Sequence, residues 1–485
     1  MPLYLRDAGV RCWATWSGDD GHLALVHLQG MLAIPCPEGT FHRWAQNDGM
    51  IYFWQELPDG TLWFPRGFAP DVVVRLQNLG FSVIHEQSRV VGPTWNNDGW
   101  EDMYNRLLND VQRWAAWNIA SYDEGVAKLH TRFGKAYCGA TAWAIRGRPR
   151  AIVVTPRTDV ITQVKREISA YIGEPVGHIC SGVGPAEITQ YTLVSPSSLL
   201  KNNQVRPEYR DWIKTVEAVY FDECHISGSQ MLAIHEATQD RYIQWALSAT
   251  PFTDDGLKNT ELVGWFGPER LTLGPKEGSE LGLIASMDVR FYEVLVGGEP
   301  MDLEAISSLP YNAYYTRLVV ENEALNTRIR ELVDYHRAQG DRVVVFVDRV
   351  KHGKALGELI TDCAVNVGPV TQSKKQAIQK DFNEGNIQAV VVTKRWREGM
   401  TLRTDVIINA EGLRAEHVQE QRYGRGLLPK EDGRPLVLYD FFFRDPPRNT
   451  LYRHSVARSR LYKRTGWNTE TLYPVVHTHI PRMGI

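Results

Sequence analysis

Cysteine is scarce and scattered, with six in 485 residues, at positions 12, 36, 138, 180, 224 and 363. No Cys-x-x-Cys pair occurs and no histidine stands nearby at ligand spacing, so neither structural zinc nor a disulfide framework is expected. A reducing cytoplasm fits this usage. No apolar run approaches the ~20 residues that cross a bilayer, and Met1-Pro2-Leu3-Tyr4-Leu5-Arg6-Asp7 lacks an apolar stretch after a basic start. A membrane partner is therefore not expected. An excess of one charge is also missing: the net value is −3, so bulk electrostatics do not announce a polyanion. The distribution says more. Residues 1–95 contain no lysine and six arginines against nine acids, whereas residues 441–485 contain eight basic residues against two acids.

What is present is length, aromatic content and repeated apolar runs. A chain of 485 residues exceeds one core and predicts two or three domains. Six of the fifteen tryptophans (13, 16, 44, 54, 63 and 95) fall in residues 1–95. That segment reads as a small α+β module. Leu23–Leu28 and Ile51–Trp54 are strand candidates, Leu57–Phe64 reads as a hairpin, and Ala69–Leu79 is an amphipathic helix followed by a strand at Phe81–Ile84. Gly92-Pro93-Thr94-Trp95-Asn96-Asn97-Asp98-Gly99 is the natural linker.

From 100 to 295, helical stretches alternate with the apolar runs 151–154, 191–194, 218–221 and 243–247. Continuous apolar strands separated by helix-sized segments imply a parallel sheet covered on both faces. The pattern repeats over 300–485, with a long helical span from about Asp302 to Ala338 and strands at 342–347, 389–392 and 406–409. Two such lobes in tandem give an α/β fold whose ligands sit at the strand C-termini.

The chemistry-bearing residues fall at those ends. Phe221-Asp222-Glu223-Cys224-His225 follows the apolar run Ala218–Tyr220, and two adjacent carboxylates at a strand end can divide labour between metal and water. Thr131-Arg132-Phe133-Gly134-Lys135-Ala136 precedes a helix-like segment. Gly134-Lys135 is the minimum of a phosphate cradle, which needs helix N-terminal amides and a lysine. Gln112 lies upstream in an amphipathic helix spanning Tyr104–Trp117. Then come Thr155-Pro156-Arg157, Ser195, Ser248-Ala249-Thr250, Asp348-Arg349, Thr393, Glu398-Gly399 and Gln421-Arg422-Tyr423-Gly424-Arg425. Each alone has a plain reading as turn or strand-end chemistry. Their order and spacing do not.

Over residues 100–470 this series resembles the motifs of superfamily-two DExH/DECH helicases, with degenerate motif I. Trp245–Pro268 and Arg342–Gly353 look most like the XPB-like branch-migration group that includes the phage UvsW-like helicases. The flanks Phe64–Phe68, Tyr439–Phe441 and Arg458–Lys463 resemble it too. The resemblance implies two RecA-like lobes behind the small α+β domain, with ATP and Mg2+ as cofactors. It assigns Gln112, Thr131, Arg132, Phe133, Gly134, Lys135, Ala136, Gly399, Gln421 and Gly424 to the nucleotide, Asp222 to the metal, and Glu223 to the attacking water. It makes Arg425 an arginine finger. His225, Ser248 and Thr250 would couple nucleotide state to lobe movement, while Thr155, Pro156, Arg157, Ser195, Arg349 and Thr393 would track a sugar-phosphate backbone.

Four positions depart from the pattern: Arg132 for glycine, Ala136 for a hydroxyl residue, Thr401 for aspartate and Leu428 for a second arginine. Two readings follow. One is an ATP-dependent helicase acting on duplex or branched DNA, with DNA favoured over RNA, phage-encoded and in company with replication or recombination proteins. The other is an ATPase-impaired pseudo-helicase serving as a nucleic-acid-binding scaffold. The basic tail, with Arg453, Arg458, Arg460, Lys463 and Arg464, is a candidate phosphate-binding surface.

Overall fold

The computed structural model describes all residues except 1, 9, 37–45, 47, 87–99, 108, 131–132, 157–160, 181–186, 225–227, 239–240, 253–254, 298–308, 369, 394–401, 414–432, 445–449 and 480–485. Contacts divide the chain into two units, one of residues 1–129 and 134–272, the other of residues 130–133 and 273–485.

The first unit opens with β1 (Leu3–Ala8) and β2 (Arg11–Trp16), followed by a two-stranded pair, β3 (Ala33–Pro35) and β4 (Met50–Tyr52). Next come β5 (Gln55–Glu56), β6 (Leu62–Pro65) and β7 (Val83–Glu86), and the five-stranded sheet has the order β5-β6-β2-β1-β7. β1 and β2 are antiparallel, whereas β7 adds to β1 in parallel. Buried and exposed residues alternate along β1, as expected of a sheet with one wet face. Helices Gly18–Met31 and Ala69–Asn78 close the other face, packing Leu25, Leu28, Val72 and Leu76 onto Leu3, Leu5, Leu62 and Phe64.

The expected hairpin at 57–64 forms around Gly60, with the Leu57 amide donating to Thr61 O at 2.8 Å. The expected strand at Leu23–Leu28 does not form: it lies inside the helix Gly18–Met31. Ala24, Leu25 and Leu28 are buried while Leu23 and Val26 are about half exposed. That is helical spacing, hidden in a run of apolar residues too short to reveal its period.

The same unit holds a seven-stranded sheet of β8 (Glu124–Leu129), β9 (Ala151–Val154), β10 (Gly177–Ile179), β11 (Tyr191–Val194), β14 (Ala218–Asp222), β15 (Ile243–Ser248) and β16 (Glu269–Leu273). A small hairpin, β12 (Leu200–Lys201) with β13 (Gln204–Val205), stands apart. The order is β10-β11-β9-β14-β15-β8-β16, and the pairs from β10 through β8 are parallel. The amino-terminal sheet is seated on this lobe. Arg66 bridges to Glu124 at 2.8 Å, the Phe68 ring covers Gly264, and a Cβ on Gly67 would stand 2.2 Å from Val263 O.

The second unit contains β17 (Met287–Gly297), β18 (Val343–Phe346), β19 (Ala364–Asn366), β20 (Ala389–Val392), β21 (Val406–Asn409), β22 (Leu436–Phe443) and β23 (Asn468–His479). Their order is β19-β20-β18-β21-β22-β17-β23, with every neighbouring pair parallel. Val343 and Val345 face one core and Val344 and Phe346 the other, so the sheet is covered on both faces. The two seven-stranded sheets are tandem RecA-like lobes, as the alternation of apolar runs predicts.

Two boundaries differ from expectation. β17, expected largely within the first lobe, belongs to the second sheet. The helical span expected at 302–338 is segmented, with residues 302–308 outside the described part. A turn of α-helix at Tyr311–Tyr315 runs into a π-helical turn at Thr316–Val320, and a separate helix, Glu323–Ala338, starts where the Asn322 side chain accepts from the Leu325 amide at 2.9 Å.

The basic tail is corrected too. Arg458, on helix Thr450–Arg464, is fully buried. Its Nε meets both carboxylate oxygens of Asp440 at 3.1 and 3.0 Å, and its remaining nitrogens donate to Leu413 O, Phe441 O and Ser455 Oγ. It cannot reach a phosphate. Arg453, Arg460, Lys463 and Arg464 do lie exposed on that helix.

Candidate nucleotide site at the strand ends of the first lobe

Parallel register brings the predicted residues of the first lobe to one edge. Asp222 pairs with Leu247, Phe221 with Val154, and Val154 with Val194, so Thr155, Ser195, Asp222-Glu223 and Ser248 all emerge at the C-terminal ends of adjacent strands. Glu223 turns the chain sharply. Its φ of +53° lies in the left-handed region, uncommon for a residue with a Cβ and costing about 1–2 kcal/mol. Two bonds hold that turn: the Glu223 amide donates to Leu247 O at 3.0 Å, and Ser248 Oγ donates to Glu223 Oε2 at 3.2 Å. Ser248 Oγ also accepts from the Thr250 amide at 3.2 Å. Thr250 Oγ1 is buried with no hydrogen-bond partner among the described residues.

Gly134-Lys135, the expected phosphate cradle, follows β8 at the same end of this sheet. Gly134 caps helix Lys135–Ile145 with φ +87°, a conformation glycine adopts without penalty. A side chain there is doubly excluded, because a Cβ would lie 2.8 Å from Gln112 Nε2. Gln112 thus rests directly on the cradle glycine and is buried to 6% exposure. Lys135 occupies the first helical position, beside amides that have no intrahelical acceptor. Ala136 is exposed and offers no oxygen. On the next turn, burial outweighs nearby Lys135 and pushes the Cys138 thiol up to about 12, so this cysteine is inert.

Gln112 owes its place to a helix start that sequence reading missed. The span Tyr104–Trp117 is two helices, Trp100–Arg106 and Asp110–Ser121. Asn109 caps the second, its Oδ1 accepting from the Gln112 amide at 2.9 Å. Asn-Asp-Val-Gln carries the spacing of a capping box, so the signal was available.

Arg66 meets Glu124, whose Oε2 accepts from Gln244 Nε2 at 2.7 Å; Gln244 Oε1 accepts from Arg241, and Arg241 meets His235. His235 stacks on Phe221, the residue before the carboxylate pair, with centroids 4.9 Å apart. A buried polar strip therefore runs from the amino-terminal sheet to the base of the acidic turn. No spacing in the sequence announces it.

In the second unit, Arg349 and Thr393 follow β18 and β20 at their C-terminal ends. Arg349 donates to Asn312 Oδ1 at 2.9 Å, meets Asp348 at 3.1 Å and lies over the Tyr315 ring. Thr393 is buried to 6% exposure. Phe133 belongs to this unit's contacts and stacks edge-on against His130. Thr131, Arg132, Arg157, His225, Gly399, Gln421, Gly424 and Arg425 lie outside the described residues, as do Thr401 and Leu428.

A parallel sheet that gathers a glycine-lysine helix start, a carboxylate pair and a hydroxyl pair at one edge, followed by a second seven-stranded parallel sheet, defines an α/β protein of two RecA-like lobes. Two domain families match in that order: the Type III restriction enzyme res subunit over residues 101–253 and the helicase conserved C-terminal domain over residues 324–427. The chain belongs to the superfamily-two helicases and is related to their XPB-like group. It is 24% identical over 362 residues to the DNA 3'-5' helicase XPB of Mycobacterium tuberculosis, a match covering 72% of this chain and 62% of that one. It therefore spans less than two thirds of that relative's length. Among solved structures, S. cerevisiae Dbp5 bound to RNA and ADP BeF3 shares the fold at TM-score 0.50 and 14% identity, covering 78% of this chain and 94% of that one. T4 UvsW aligns over 98% of this chain and 100% of its own at 15% identity, with a TM-score of 0.45.

Proposed function

We propose that the chain is an ATP-dependent helicase or translocase that remodels duplex or branched DNA in replication, recombination or repair, and that it is phage-encoded. The observation that carries this reading is the convergence at one sheet edge of Gly134-Lys135, Gln112 packed on that glycine, and Glu223 held in a left-handed turn by Ser248. Lys135 and the helix amides receive the outer phosphates, Gln112 supports the cradle from the adenine side, and Glu223 orients and deprotonates the attacking water. The residues fit a magnesium nucleotide: Asp222 ends β14 beside Glu223, and the exposed Ala136 leaves room for a water where a hydroxyl ligand is missing. The ion, when bound, supplies charge neutralisation at the terminal phosphates.

Ser248 and Thr250 share one hydrogen-bond chain with Glu223, so a change at the carboxylate is felt at the hydroxyl pair. Arg425 is the proposed arginine finger, and Thr155, Pro156, Arg157, Ser195, Arg349 and Thr393 the proposed backbone-tracking residues. Purified chain assayed for phosphate release with and without forked DNA, beside Lys135→Ala, tests the reading. DNA-stimulated release in the parent and its loss in the variant are expected. Equal rates in both would replace the motor with a nucleic-acid-binding scaffold, the role that the missing hydroxyl at Ala136 favours.

A further inference from the structure

The buried face of the amino-terminal sheet ends in three chemically unlike side chains. Asp7 on β1 stands directly opposite Cys12 on β2, and His85 on β7 pairs with Leu5, two residues before Asp7. Side chains two apart on a strand share a face, so Asp7, Cys12 and His85 point the same way from three adjacent strands. Leu3, Leu5, Cys12 and Ala14 on that face are all fully buried. One donor atom from each of Asp7, Cys12 and His85 lies within 4.8 Å of the others. Tetrahedral zinc bonds of about 2.0–2.3 Å set ligand separations of roughly 3.3–3.8 Å, so side-chain rotations of about 1 Å complete the set.

We propose that Asp7, Cys12 and His85 form a zinc-class metal site that pins the edge strand β7 to the amino-terminal sheet. Thiolate, imidazole and carboxylate are the donors borderline divalent ions prefer. Charge is balanced. One dication meets one thiolate and one carboxylate, while the neighbouring Arg66 is already matched by Glu124 at 2.8 Å. Entry is from the His85 and Asp7 side, whose side chains keep 13% and 11% exposure and leave a fourth position for water. Without metal, His85 Nε2 and Asp7 Oδ1 share a hydrogen bond at 2.9 Å. Binding opens it: the imidazole proton passes from Nε2 to Nδ1, freeing Nε2 for the ion, and the Cys12 thiol proton leaves to solvent as the sulfur–metal bond forms. Among the described strands β7 pairs with β1 alone, over four residues, so the ion adds a cross-link at that edge of the sheet. This inference does not depend on the helicase reading.

The test uses the full chain, stripped with chelator and titrated with Co2+ alone. A single equivalent giving a thiolate-to-cobalt charge-transfer band is expected, with a higher thermal midpoint when Zn2+ replaces cobalt. Cys12→Ser should abolish the band and the shift. Should that core variant fail to fold, His85→Asn on the partly exposed strand serves instead, and loses the shift with weaker cobalt binding. A parent chain with no band, or a band surviving Cys12→Ser or untouched by His85→Asn, overturns the site.

Discussion

Glu223 and Asp440 are both buried carboxylates near the C-terminal edge of a seven-stranded parallel sheet, one in each lobe. Asp440 is met by Arg458 Nε, by Tyr462 at 2.6 Å, by Asn409 at 3.1 Å and by the Phe441 amide at 2.7 Å. Its charge is consumed in holding helix Thr450–Arg464 to β22. Glu223 takes a hydroxyl from Ser248 and sits on a strained backbone, next to a threonine whose oxygen has no described partner. The same architecture thus spends one carboxylate on structure and keeps the other poised at an edge. A left-handed backbone turn marks the carboxylate of the first lobe, and a saturated set of hydrogen bonds marks that of the second.

Replacing each carboxylate's key feature separates the two roles. Glu223→Gln keeps the shape and the Ser248 contact but removes the base, so phosphate release should fall roughly 10²–10⁴-fold while the unfolding midpoint holds. A variant that kept its turnover would erase the contrast. Arg458→Ala should do the reverse of a surface change: it strands Asp440 in the core and costs about 3–5 kcal/mol in denaturant unfolding, whereas Arg453→Ala on the exposed face should stay within about 0.5 kcal/mol. Comparable small effects from both would mean that the buried pair is not what anchors the helix.

A pH profile sharpens the comparison further. His352 in the second lobe is buried, and that burial lowers its pKa from 6.5 to about 4. Its Nε2 donates to Asn326 Oδ1 at 2.8 Å, and Nδ1 has no partner among the described residues, as suits a neutral ring. Between those two values the unfolded chain binds the proton that the folded chain refuses. The contribution is therefore intact above pH 6.5 and is lost as pH falls towards 4. His352→Gln should flatten this part of the stability profile, and an unchanged slope would assign the acid sensitivity elsewhere.

The parallel sheets were legible because strands buried on both faces leave unbroken apolar runs, as at 151–154, 343–346 and 389–392. The amino-terminal module was less so. At Leu23–Leu28 an amphipathic helix presents consecutive apolar residues, and only the burial of alternate turns reveals its period. The cap before Gln112 does carry a local mark, the Asn109-to-Gln112 spacing. The Arg458–Asp440 pair was not readable at all, since a basic residue among exposed ones on a helix carries no local mark of facing inward. The same holds for Asp7, Cys12 and His85, whose meeting depends on a parallel pairing between β1 and β7 across 78 residues.

β17 stands between β22 and β23, so the second lobe's opening strand is completed only by its last two. Arg290 meets Tyr439 across 149 residues, and Asp288 meets Asn468 across 180. During ribosomal synthesis the first lobe has all its strands in hand long before β17 finds a neighbour. The nascent second lobe must shelter the unpaired edges of β17 until β22 and β23 emerge, so its sheet is expected to close after that of the first lobe.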